Sequence, residues 1–207
     1  VAHRDSSGTI APGDVQWMTA GNGVVHEEFD SEAFSKTGGM FEMVQLWVNL
    51  PAAKKNIAPA YQSLKAADIP VVSRGDGNVR LIAGHLDGTN GAAHTHTELN
   101  MWEIDLPADG AMTLPVPENH NLLLVALRGT ARINDRDLLR PSELATFNES
   151  GDSVRISAEG DAVKLLLLSG VPIDEPIAAY GPFVMNTREE IMEKIRDFNS
   201  DKFGGLH

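Results

Sequence analysis

His26 and Glu28 are the residues whose types and spacing most directly suggest chemistry. Two positions apart on an extended strand, their side chains project from one face. A neutral imidazole and a carboxylate together suit a borderline first-row ion such as Fe(II), with positions left open for substrate or dioxygen. Glu28 has a second use, because a carboxylate beside a metal can take the proton of a bound hydroxyl as general base. Glu27 alternates to the opposite face and drops out of the set. Spacing by itself describes equally well a surface His-Glu-Glu cluster on a strand end, since two-residue metal motifs are weak.

The rival cluster is His94-Thr95-His96 with Glu103 and His120. Its plain reading is a set of polar residues on and around an early strand. His3, His85 and His207 read as a strand residue, a strand-end residue and a terminal residue. With no cysteine, thiolate zinc sites, disulfides and cysteine nucleophiles are excluded. Asp87-Gly88-Thr89-Asn90-Gly91 is glycine-rich but lacks the lysine and following helix of a phosphate loop. No serine nucleophile elbow is present. Trp17, Trp47 and Trp102 are expected in a core or a domain interface.

The elements that must position these groups are strands. Short apolar runs punctuated by turn signals recur along the chain. Pro12-Gly13-Asp14 leads into Val15–Met18, and Gly21-Asn22-Gly23 into Val24–His26. Met40–Leu50 is apolar on both alternating faces, which predicts a strand covered on both sides. Residues 51–76 carry Pro, Ala and Lys with helix-like turns and are expected as a connector. A second strand-rich block follows: Asn78–Ala83, Leu99–Leu106, Leu122–Leu127, Thr130–Ile133, Ser153–Ile156 and Val163–Leu168. So many short strands with tight turns predict a barrel or sandwich. One helix is signalled at the end: Thr187-Arg188-Glu189-Glu190 has the form of a capping box, and Ile191, Ile195 and Phe198 then line one stripe.

Composition narrows the partners. The 207 residues carry 17 basic and 29 acidic side chains, a formal net charge of −12. That balance repels phosphate backbones and anionic membranes, and no basic cluster exceeds Lys54-Lys55, so direct nucleic-acid binding is not expected. No apolar run approaches the about 18 residues of a membrane span. No signal-peptide pattern is visible, and the expected location is the cytoplasm.

Residues Pro12–Glu28, with Trp17, Met18, His26 and Glu28 inside them, resemble the signature of the pirin family. Gln45–Pro51 and Tyr180–Thr187 resemble that family's exit from its first domain and its C-terminal signature. The three stretches occur in the family's order and span nearly the whole chain. The resemblance implies an all-β fold of two tandem cupin barrels with a C-terminal helix. It also implies a metal held in the first barrel by three histidines and a glutamate. His26 and Glu28 match two of these ligands; the other two belong to a His-Pro-His-Arg-Gly motif that this sequence does not contain. Val1 is not an initiator methionine, and the first barrel is expected to be incomplete and its metal site half present. The expected divisions are a partial N-terminal cupin over 1–50, the connector over 51–76, a C-terminal cupin over 77–183, and a helix and tail over 184–207.

The same resemblance bears on the rival histidines. Gly88, His94, His96, Glu103 and Gly110 approach the generic cupin metal motif, but the gap from His96 to Glu103 is too long. A better register runs from Gly110 to Gly129, placing Val116, Glu118 and Leu122 at the ligand positions, with Val154 at the later histidine position. Val and Leu offer no donor atom, so the second barrel is expected to bind no metal. For function, the resemblance implies an iron-dependent dioxygenase of the quercetin 2,3-dioxygenase type. In it Glu28 removes the 3-hydroxyl proton of a flavonol-like substrate. The second function class is a non-catalytic regulatory protein whose metal site tunes a surface for a protein partner.

Overall fold

The structure, a computed structural model, describes residues 2–3, 6–148 and 150–204, with side chains from Gly8 onward. In chain order its elements begin with β1 (Ala2–His3), β2 (Ser6–Ser7), β3 (Val15–Thr19), β4 (His26–Glu27), α1 (Glu32–Thr37), α2 (Ala52–Lys55) and β5 (Ala60–Leu64). Next come β6 (Val71–Arg74), β7 (Gly77–Ala83), β8 (His85–Leu86), β9 (Thr89–Asn90), β10 (Leu99–Leu106), β11 (Ala111–Pro115) and β12 (Asn121–Arg128). The chain closes through β13 (Ala131–Ile133), β14 (Asp137–Leu139), β15 (Leu144–Thr146), β16 (Ser153–Ala158), β17 (Val163–Gly170), β18 (Ala178–Tyr180), β19 (Phe183–Met185) and α3 (Arg188–Asn199). The expected all-β class with a helix at the end is what these elements form. They divide into two units: residues 1–63 with 173–207, and residues 64–172.

The unit of residues 64–172 holds two antiparallel sheets. One runs β15-β12-β17-β10-β7-β6 and the other β11-β16-β13-β14. Alternation along each strand decides what faces inward. In the six-stranded sheet, Leu124, Leu167, Trp102 and Leu81 are successive register partners across four strands. Ala126, Leu165, Ile104 and Val79 form a second such row, and all eight side chains are fully buried. Met112, Ile156 and Ile133 align in the same way across the smaller sheet. Both sets belong to one apolar cluster, and cross-strand neighbours of this kind stabilise a sheet pair by pair.

On the opposite face of the six-stranded sheet a polar row takes over. Arg80 and Glu103 are register partners, joined by a 3.0 Å hydrogen bond. Lys164 donates to Glu103 at 2.8 Å and pairs with Asp105, its own register partner, at 2.8 Å. Burial alone would raise the Glu103 pKa, but hydrogen bonds from Lys164 and Arg80 prevail and hold it below its ordinary value.

In the unit of residues 1–63 and 173–207, small sheets replace the large one: β2-β1-β4, β3-β5 and β18-β19. The C-terminal segment is bound to residues 49–55 by a polar network. The Ala52 amide donates to Glu175 at 2.6 Å, Asn186 Nδ2 donates to the same carboxylate at 3.0 Å, and Lys55 Nζ donates to Asn49 at 2.5 Å. Lys55 is buried; desolvation lowers its pKa, with Glu175 and Glu190 partly opposing. The one basic doublet in the sequence is therefore not an exposed patch. The capping box forms as expected, with Thr187 accepting from the Glu190 amide and the Glu190 carboxylate accepting from the Thr187 amide.

Two expectations are corrected. Met40–Leu50 forms no strand, and Met40, Phe41, Met43 and Trp47 are more than half exposed. A strand that is apolar on both faces needs neighbours for its backbone and layers for both faces, and the described residues pair none with it. Trp47 is therefore exposed at 67%, whereas Trp102 is a core residue and Trp17 is half-buried. Residues 51–76, expected as the connector, contain α2, β5 and β6, and β6 is an edge strand of the six-stranded sheet.

Candidate metal site

The site is built on one turn. β3 ends at Thr19, and Gly21-Asn22-Gly23 reverses the chain toward β4. Gly21 has φ +54, and a Cβ there would overlap the Ile57 carbonyl, which accepts a 2.8 Å hydrogen bond from the Asn22 amide. Gly23 has φ +132, and a Cβ there would overlap the ring of Phe203. Both positions thus demand glycine for conformation and for space. The Gly23 amide closes the turn onto Ala20 O at 2.9 Å.

From this turn Val24 and Val25 lead into β4, whose backbone pairs antiparallel with β1 so that His26 lies opposite His3 and Glu27 opposite Ala2. Glu28 lies just past the strand. Its Oε1 is 3.9 Å from His26 Nδ1, with side-chain exposures of 42% for Glu28 and 35% for His26. The two groups converge on one side, open to solvent rather than enclosed in a barrel. Among the described residues no cluster of three or more His, Asp or Glu side chains could hold an ion. An imidazole nitrogen and a carboxylate oxygen this close fit a borderline divalent ion as two of its ligands.

The rival histidines are not gathered. His94 and His96 are exposed, and Glu103 is engaged by Arg80 and Lys164. His120 is buried, with Nδ1 3.2 Å from Ser169 Oγ and Nε2 3.5 Å from Glu98. Ser169 in turn accepts from Asn100 at 3.1 Å, and Asn100 accepts from the His85 amide at 3.1 Å. This chain serves packing at the end of β10, β12 and β17. Val116, Leu122 and Val154 belong to the apolar core cluster, and Glu118 is exposed. His207 lies outside the described residues. Sequence reasoning missed Ile57 and Phe203, the supports of the turn that leads to His26. The Gly-Asn-Gly turn was legible, but nothing local marks the residues that pack on it.

Comparison with known proteins agrees on one family. Residues 1–48 match the family described as Pirin, and residues 101–204 match the Pirin C-terminal cupin domain. The crystal structure of a quercetin 2,3-dioxygenase from Acinetobacter baumannii superposes with a TM-score of 0.92 at 48% identity, covering 97% of this chain and 70% of that one. A Pseudomonas aeruginosa protein, whose name carries quercetin 2,3-dioxygenase as a provisional assignment, is 46% identical over 212 residues. That match covers 100% of this chain and 73% of the relative. Human pirin is 34% identical over 211 residues, covering 99% of this chain and 71% of its own length.

Proposed function

Since the chain belongs to the pirin family, with its tandem cupin fold and C-terminal helix, we propose that His26 and Glu28 are metal ligands and that the protein is an iron-dependent dioxygenase of the quercetin 2,3-dioxygenase type. The observation that carries this reading is the 3.9 Å approach of His26 Nδ1 and Glu28 Oε1 at the end of the glycine turn. Similarity to a quercetin 2,3-dioxygenase over nearly the whole chain supports the reaction class.

A bound Fe(II) ion would supply Lewis acidity and a place for dioxygen. The chain's own residues hold and move protons around it. His26 contributes a neutral imidazole, and its position is fixed by β4 and the turn before it. Glu28, with partial access to solvent, accepts the 3-hydroxyl proton of a flavonol as the substrate arrives, which leaves the substrate anionic and easier to oxidise. The test is anaerobic Fe(II) loading followed by oxygen uptake with quercetin. Iron-dependent uptake that is lost in both His26→Ala and Glu28→Gln is expected. Uptake that is the same with and without iron would overturn the enzymatic reading.

A second reading has its own observation. Met40, Phe41, Met43 and Trp47 are exposed apolar side chains within one short stretch, and surfaces rich in such residues mark interaction sites. A regulatory protein that binds a protein partner there would show no turnover, yet would shield Trp47 fluorescence when bound.

A further inference from the structure

Phe203 stands far from Gly23 in sequence, yet its ring occupies the space a Cβ at Gly23 would take. The ring is only 6% exposed. It is held in place by Phe183 and Phe198, with ring centroids 6.5 and 6.4 Å away. The chain reaches this position because α3 stops at Ser200 and Asp201 turns with φ +57. Lys202 N donates to Asp197 O at 3.1 Å, and the Gly204 amide closes onto Asp201 O at 3.0 Å. A second contact from the same helix, Lys194 Nζ to Asn22 O at 3.4 Å, meets the neighbouring residue of the turn.

A turn with two glycines has many conformations to lose, and fixing one residue's backbone costs roughly 1–2 kcal/mol of entropy. Something outside the turn must select one geometry. Ile57 O holds the Gly21–Asn22 side, and the C-terminal tail holds the Gly23 side. Only Val24 and Val25 separate Gly23 from His26, so a displacement of Gly23 carries directly into the ligand. Ligand geometry tolerates errors of about 0.5 Å before function suffers.

We infer that Phe203 is a positioning residue for the metal site: by seating its ring on Gly23 it fixes the turn that delivers His26 toward Glu28. The inference rests on the reading of His26 and Glu28 as ligands, and its test separates the two. Co(II), followed by its visible absorption, is titrated into the 207-residue protein and into His26→Ala, Phe203→Ala and Phe203→Leu, well below the unfolding temperature of each. Amide exchange of Asn22–Val25 and the ring resonances of His26 are recorded on the metal-free proteins. Phe203→Ala is expected to weaken Co(II) binding about tenfold, the low end for loss of a contact that orients a ligand. It is also expected to speed exchange in the turn and shift the His26 ring, with Phe203→Leu recovering most of each effect. Faster exchange with unchanged Co(II) affinity would reduce the ring to ordinary packing and overturn the inference. If the parent and His26→Ala both ignore Co(II), the metal reading falls. The His26 resonances then decide alone: a shift in Phe203→Ala supports positioning, and identical spectra overturn it.

Discussion

His26 and Glu27 sit side by side on β4 but answer to different surroundings, and this gives a clean control. His26 shares its side with Glu28, whereas Glu27 alternates away and is half-buried. Glu27→Gln should therefore leave Co(II) affinity unchanged under conditions where His26→Ala removes it, as read by calorimetric titration. Glu103 offers a second residue-scale test. Its pKa is depressed in the folded protein, so its contribution to stability is complete at neutral pH. That contribution is lost as pH falls below about 4.5, through the lower folded value. Glu103→Gln should cost about 1–2 kcal/mol at pH 7, because Arg80 and Lys164 lose a shared partner. Urea melts should show the gap between mutant and parent narrowing under acid conditions. The candidate ligands were legible in the sequence because a two-residue spacing on a strand is a local signal. Their support by Ile57 and Phe203 was not, because packing across the fold leaves no periodic trace.

At the scale of elements, legibility followed burial. β10 was bounded correctly as Leu99–Leu106 because Trp102, Ile104 and Leu106 alternate into the core. β14 and β15 escaped notice, being three-residue edge strands with mostly exposed side chains. Met40–Leu50 failed in the other direction: strand-like composition does not make a strand without a neighbour. The core rows predict where damage concentrates. Leu167→Ala empties a site between Leu124 and Trp102 and should cost about 2–5 kcal/mol, measured by urea unfolding. Thr187→Ala removes one half of the capping box and should cost about 0.5–2 kcal/mol. That loss should appear first as faster amide exchange in the opening turn of α3.

For the whole molecule, the two units differ in how they are stabilised. Residues 64–172 own a continuous apolar cluster between two sheets. In the described part of the other unit, the buried apolar residues are few, among them Met185, Ile191 and Phe203, and polar ties such as Ala52–Glu175 carry more of the structure. Residues 64–172 expressed alone should unfold in one cooperative transition, with near-ultraviolet and far-ultraviolet circular dichroism coinciding. In the intact chain the slowest amide exchange should fall in β10, β12 and β17. No helix among the described residues is long and apolar enough to cross a membrane.

The discontinuity of the first unit also sets a timetable during synthesis. Its glycine turn and His26 are synthesised before residues 64–172, and the ring that seats Gly23 only after them. At about 5–20 residues per second, that interval is on the order of ten seconds or more, ample for residues 64–172 to fold in between. During that time the nascent histidine pair partner and its turn have no fixed geometry. A ribosome-stalled chain ending before Phe203 should therefore give folded residues 64–172 and an unsettled glycine turn, so the geometry around His26 is completed only after the middle of the fold is in place.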